Sequence, residues 1–298
     1  MDGTHHPVVV GVDGSPASRD ALHWAAAEAA VRGLPLRIMH AVGPADPERW
    51  TAARAMIAEA VARARAWQSG IAVSGEVIDG QPVTELCAAS ETATMVVMAN
   101  RGAGGFAELL LGSVSSEVAM FARSAVTVVH GSHTVPDRPN TGRSDLPVLV
   151  GADSSAESEK AIGVAFEEAS ARGVTLVAIR AWHAPPNSHP RPKAHPPAGK
   201  KPRMDRPAME IAAQYAVNEA LARWQSKYPG VRTETRIVRE GPASALVKAS
   251  AEAQLIVVGS RGHTSLAGLR LGATADQLLH HVHCPIMIVR CCTEAADA

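Results

Sequence analysis

The chain repeats itself. Placing Val8–Val42 over Val148–Trp182, an offset of 140, makes 14 of 35 positions identical. Among them are Gly11 with Gly151, Asp13 with Asp153, Ser15 with Ser155, and the Arg32-Gly33 pair with Arg172-Gly173. From Pro82 onward the offset becomes 160, matching Pro82 with Pro242, Arg101-Gly102 with Arg261-Gly262, and Gly112 with Gly272. A unit that recurs with its turn residues in register folds twice into one architecture. The 298 residues suffice for two domains of about 150, each able to bury a core. We read 1–133 as the first domain, 134–146 as a linker and 147–292 as the second. The linker assignment rests on Gly131–Pro147, a polar stretch with three prolines and no apolar period.

Within each unit, strand-like runs alternate with helical ones. Pro7–Val12 is too short for a helix and rich in valine, which predicts a strand buried on both faces. It ends at Asp13, and Gly14-Ser15-Pro16 makes the turn, with Ser15 as N-cap and Pro16 at the first helical position. The helix that follows stops at Arg32 and Gly33, a basic last turn and a glycine C-cap. Strands are expected over 34–42, 71–78, 94–99 and 125–130, with helices over 48–68, 83–91 and 113–121. This alternation implies parallel pairing through right-handed crossovers. The extra twenty residues of the second unit fall between its second strand and the next helix. That insertion, 183–206, holds seven prolines and six Lys or Arg against one Asp, a composition that predicts a loop without a packed core. A basic flap over a phosphate, or a contact for a protein partner, is the alternative.

The stretch Met98–Ser115, M-A-N-R-G-A-G-G-F-A-E-L-L-L-G-S-V-S, follows one of these strands and opens a helix. Gly102 and Gly112 bracket a loop, and Ser113 and Ser115 fall in the first helical turn, where unpaired N–H groups and the positive dipole end can hold a phosphate. Val258–Ala275, V-G-S-R-G-H-T-S-L-A-G-L-R-L-G-A-T-A, is a near copy. In an open parallel sheet, ligands settle beyond the carboxyl ends of the strands where the strand order reverses. Asp13 and Ala99 both close strands. If those strands are neighbours, the carboxylate meets a sugar hydroxyl or base amine, and Gly102 lets the backbone approach the ligand.

These residues carry a resemblance. The chain is similar to a tandem universal stress protein of the ATP-binding branch, whose motif is GxxGxxxxxxxxxG followed by Ser or Thr, with an Asp ending the first strand. The likeness spans both halves. It implies an α/β fold of two doubly wound, five-stranded parallel-sheet domains in the order 3-2-1-4-5, Rossmann-like. Carried over by position, it implies adenine and ribose contacts from Val12, Asp13 and Ala41. Phosphate contacts would come from Arg101, Gly102, Gly112, Ser113 and Ser115, with Gly11, Met98, Ala99 and Val114 completing the site. In the second half the set is Gly151, Ala152, Asp153, Ala181, Val258, Gly259, Arg261, Gly262, Gly272, Ala273, Thr274 and Ala275. Both copies depart from the motif. Ala99 replaces a glycine in the first, while Ala273 and Ala275 stand where the first half has Ser113 and Ser115, so the second site is expected to be the weaker.

Composition narrows the class. Lys plus Arg equals Asp plus Glu, so no overall field draws the protein to nucleic acid or an acidic membrane. The aromatic content of 3% leaves little for base-stacking platforms. No apolar run approaches the ~18 residues of a membrane span, and no basic-then-apolar leader opens the chain, so a cytoplasmic location is expected. Cys87, Cys284, Cys291 and Cys292 show no CxxC spacing, and His280, His281, His283 and Cys284 straddle a helix end. We read the latter as surface and capping residues and expect no metal site.

No GxxxxGK[ST], GxSxG or HExxH occurs, so no catalytic residue is assigned. The reading is an ATP-binding regulatory stress-response protein, with or without Mg²⁺, that signals by conformation or partner choice. A slow ATP hydrolase using the same pocket is one alternative. A ligand-free scaffold dimerising through the apolar last strands, 125–130 and 285–290, is another. The two halves are expected to pair with each other there; a homodimer and an unidentified protein partner stay open.

Overall fold

Val8, Val9 and Val10 are all fully buried although their side chains alternate between faces, so β1 (Val8–Gly11) is covered on both sides. The computed structural model describes residues 6–43, 47–102, 111–130, 145–182, 206–262 and 271–290. The 134–146 linker lies largely outside these residues, as do the 183–205 part of the insertion, both loop interiors (103–110 and 263–270), Cys291 and Cys292. The first half continues with α1 (Pro16–Arg32), β2 (Leu36–Val42), α2 (Pro47–Trp67), β3 (Val73–Asp79), α3 (Pro82–Ala89), β4 (Met95–Ala99), α4 (Ser113–Phe121) and β5 (Ala125–Val129). The second half repeats the series as β6 (Val148–Gly151), α5 (Ala156–Arg172), β7 (Leu176–Ala181), α6 (Arg206–Gln225), β8 (Thr233–Val238), α7 (Pro242–Ser250), β9 (Leu255–Gly259), α8 (Ala273–His281) and β10 (Ile286–Val289).

The turn chemistry is local and acts as expected. The Ser15 hydroxyl accepts from the Ser18 amide at 3.1 Å, and Gly33 ends α1 at φ 64°. Ser155 caps α5 through the Ser158 amide at 3.1 Å, and Gly173 ends it at φ 66°. Such left-handed C-caps cost a glycine nothing. Deeper contacts repeat as well. The Ser90 hydroxyl accepts from the Arg123 amide at 2.8 Å, and the Ser250 hydroxyl accepts from the His283 amide at 2.9 Å.

Each half has its strands in the order 3-2-1-4-5, all parallel, and β1 lies beside β4. The last strands then pair antiparallel, β5 with β10, fusing the halves into one ten-stranded sheet. The join is pseudo-symmetric, since Thr127 sits opposite Met287, its own counterpart in the repeat. Being antiparallel, it sends the carboxyl ends of the two parallel sets to opposite ends of the sheet. Residues of α1, α2, α5 and α6 pack on one face and those of α3, α4, α7 and α8 on the other, giving two continuous apolar layers across both halves.

Side chains lock the seam in equivalent pairs. The His130 ring bonds the Leu279 carbonyl through Nε2 at 2.9 Å, and Arg290, which replaces that histidine in the repeat, donates to the Ala119 carbonyl. Burial, with a smaller contribution from the Arg101 guanidinium, holds the His130 pKa below its ordinary value against the pull of that carbonyl. On the opposite face α1 meets α5. Here Glu28 and Glu168, each with a side chain 1% exposed, face Arg32 and Arg172, and each arginine pairs with both carboxylates. Burial and then the Glu28 carboxylate push Glu168 up to about 7, against both guanidiniums. At Glu28 burial is outweighed by Arg172 and Arg32, and its pKa falls below the usual range.

Candidate functional site

Asp13 follows the end of β1, and its Oδ1 accepts from the Ser15 amide at 3.0 Å. Its other oxygen lies under the backbone that leaves β4, where a Cβ on Gly102 would stand 2.5 Å from Oδ2. Glycine at 102 therefore lets the chain approach the carboxylate this closely without moving it. Since β1 and β4 are neighbours, the acid and the loop share one crevice at the point where the strand order reverses.

A cavity of about 520 Å³ opens there. All the residues assigned to the first half line it, from Gly11, Val12 and Asp13 through Ala41, Met98, Ala99, Arg101 and Gly102 to Gly112, Ser113, Val114 and Ser115. Gly112 is the N-cap of α4 and offers no side chain to the first-turn amides. Its own amide is used, donating to the Asn100 carbonyl at 2.7 Å. The buried Ser115 hydroxyl donates to the Ala99 carbonyl at 2.7 Å, fixing the first turn of α4 to the end of β4. Its proton is thus spent on the scaffold; the oxygen keeps acceptor capacity only, which an anion cannot use.

Other lining residues carried no motif. His40 lines the cavity, and its Nδ1 lies 2.7 Å from the Val12 carbonyl. Pro82, Glu85 and Leu86 line the far wall, one face of α3. Their spacing at i, i+3 and i+4 was the available sequence signal.

The second half builds the same frame with other chemistry. Gly151 ends β6 and is followed by Ala152 and Asp153, Ala181 ends β7, and Val258 and Gly259 end β9, followed by Arg261 and Gly262. Gly272, Ala273, Thr274 and Ala275 open α8, and the Gly272 amide donates to the Ser260 carbonyl at 2.8 Å. Asp153 Oδ1 accepts from both the amide and the hydroxyl of Ser155, at 2.8 and 2.5 Å, and a Cβ on Gly262 would stand 2.9 Å from Oδ2. Arg261 pairs with Glu157 of α5 through Nε at 2.9 Å and Nη2 at 2.7 Å. Among the described residues no group of three His, Cys, Asp or Glu could hold a metal ion. The His280 ring instead meets the Asp276 carbonyl, 2.8 Å from Nδ1.

A model of the universal stress protein family matches twice, over residues 4–130 and 146–290. The chain belongs to the universal stress protein family. A universal stress protein of Mycobacterium tuberculosis is 37% identical over 302 residues, covering 96% of this chain and 97% of its own. One from Mycolicibacterium smegmatis is 36% identical over 306 residues, covering 97% and 99%. A solved universal stress protein from Archaeoglobus fulgidus superposes with a TM-score of 0.68 at 20% identity, covering 96% of this chain and 97% of its own, a likeness of fold. The family assignment thus accounts for the tandem order of the sheet. Among the described residues, no helix of this universal stress protein is long and apolar enough to cross a membrane.

Proposed function

We propose that the first half binds an adenine nucleotide, ATP with or without Mg²⁺, and that occupancy biases conformation or partner choice, making the protein a nucleotide-dependent regulator. The carrying observation is the composition of one cavity. An acid suited to sugar hydroxyls sits at the carboxyl end of β1, and beside it are a glycine-backed loop with Arg101 and a helix start that its N-cap residue leaves unsatisfied. Its volume of about 520 Å³ lies within the roughly 300–1,000 Å³ range of small-molecule sites. Helix-start amides recognise phosphate without catalytic chemistry, which suits a sensor. The pairing of β5 with β10 uses the apolar strand edges on which a scaffold reading relies, and so weighs against that alternative.

Chromatography of what is released on denaturing freshly purified protein tests the reading. Stoichiometric ATP supports it, ADP with phosphate release on turnover points to hydrolysis, and no nucleotide, with no saturation on titration, overturns it. Gly112→Val places the test at the phosphate end. A Cβ at 112 meets nothing closer than 3.6 Å, so the fold accepts a side chain while the branched group intrudes on the ligand. ATP affinity should fall by about tenfold or more with the unfolding midpoint nearly unchanged.

A further inference from the structure

The two crevices differ at the end where phosphate would lie, and the difference in charge there disfavours an anion in the second. The residue that aligns with Glu157 in the first half is Ala17, which carries no charge. In the second half the Glu157 carboxylate, 13% exposed, takes two donors of Arg261. The arginine that would neutralise an incoming anion is therefore already neutralised, and an additional carboxylate stands beside the loop. Gly259 and Glu157 form a matched pair. A Cβ at 259 would stand 2.8 Å from the Glu157 Cβ and 3.0 Å from its backbone carbon, so the first turn of α5 closes directly on the end of β9. The first half has Ala99 and Ala17 at these positions. Finally, Ala273 replaces Ser113, removing the hydroxyl at the first helical position, with Thr274 carrying one a residue later; Ala275 replaces Ser115, whose proton the first half already gives to the Ala99 carbonyl. What would hold a sugar, Asp153 under Gly262, is kept.

We infer that Glu157 is a specificity-determining residue that bars nucleoside triphosphates from the second crevice, so that the chain binds one ATP, in its first half, and reserves the second crevice for a ligand with little or no phosphate charge. The inference rests on the proposed function of the first half. An acid in the first turn of a helix also stabilises that helix, so a stability readout alone would not separate the two roles.

The test is calorimetric titration of the full chain with ATP, then of Glu157→Ala and Glu157→Gln. The glutamine variant keeps the shape of the first turn in case alanine loosens α5. The wild-type chain should bind one equivalent. Each variant should gain a second, its affinity raised by about tenfold or more over the wild-type second crevice. That gain should vanish when Asp153→Ala is added. Adenosine should bind the wild-type second crevice and be insensitive to Glu157→Gln. Two equivalents of ATP in the wild type overturn the inference while supporting the first-half reading. One equivalent in the wild type and in both variants overturns the inference alone. No ATP binding to the wild type overturns both.

Discussion

The charge cluster at the α1–α5 seam carries a pH signature. Glu28 and Glu168 are 1% exposed and share two arginines, so the carboxyls titrate as a pair and one proton is held near neutrality. Glu168, ordinarily at 4.5, is pushed up to about 7 by burial first and the Glu28 carboxylate second. The native state therefore holds this proton more tightly than the unfolded chain between those values. The stabilisation is full below about 4.5 and is lost as the pH rises to about 7. A displacement of that size corresponds to about 3 kcal/mol at most. Glu168→Gln removes the titration while keeping the shape of the protonated acid. Urea unfolding of both proteins between pH 4.5 and 8 should show the variant gaining relative stability as pH rises, by up to about 3 kcal/mol, with a small difference at the acid end. The difference between the two curves cancels His130, whose depressed pKa costs stability only as the pH falls. Glu28→Gln leaves the burial and removes the neighbouring charge, so it should move the step to lower pH. Parallel curves for Glu168→Gln and wild type across this range would refute the reasoning.

Three further outcomes follow from particular contacts. Gly102→Ala puts a Cβ 2.5 Å from Asp13 Oδ2; the carboxylate can swing aside, so the fold should survive while ATP affinity drops by about tenfold on titration. Ser115→Ala removes a buried 2.7 Å bond to the Ala99 carbonyl, and chemical denaturation should show a loss of about 1 kcal/mol, with Ala275 showing that alanine fits the equivalent turn. Gly163→Ala drives a Cβ within 2.5 Å of the Trp224 ring, and the resulting overpacking, about 1–3 kcal/mol, should outweigh the roughly 1 kcal/mol gain in helix propensity, so the midpoint falls.

The sequence by itself determined the elements and their repetition. Strand burial, the serine caps, the glycine stops and the Asp13 and Gly102 positions all depend on neighbours within a few residues, and spacing records those. The parallel order could be anticipated because a strand–helix–strand unit crosses over in only one hand. Two offsets, 140 and 160, were enough to show that the fold occurs twice.

Only the tertiary structure decided which side chains separated by a hundred residues or more would meet. Nothing near Glu157 in the chain marks it as the partner of Arg261, and nothing in α1 shows that Glu28 and Arg32 close a four-charge cluster with α5. His40 and the Pro82–Leu86 face join the cavity because the sheet twist and helix packing bring β2 and α3 beside β1, a geometry that apolar periodicity leaves open. The Ser115 hydroxyl shows the converse. Its position in the motif suggested a ligand, yet once β4 and α4 are packed its nearest acceptor is the Ala99 carbonyl, and a buried hydroxyl bonds what lies within reach.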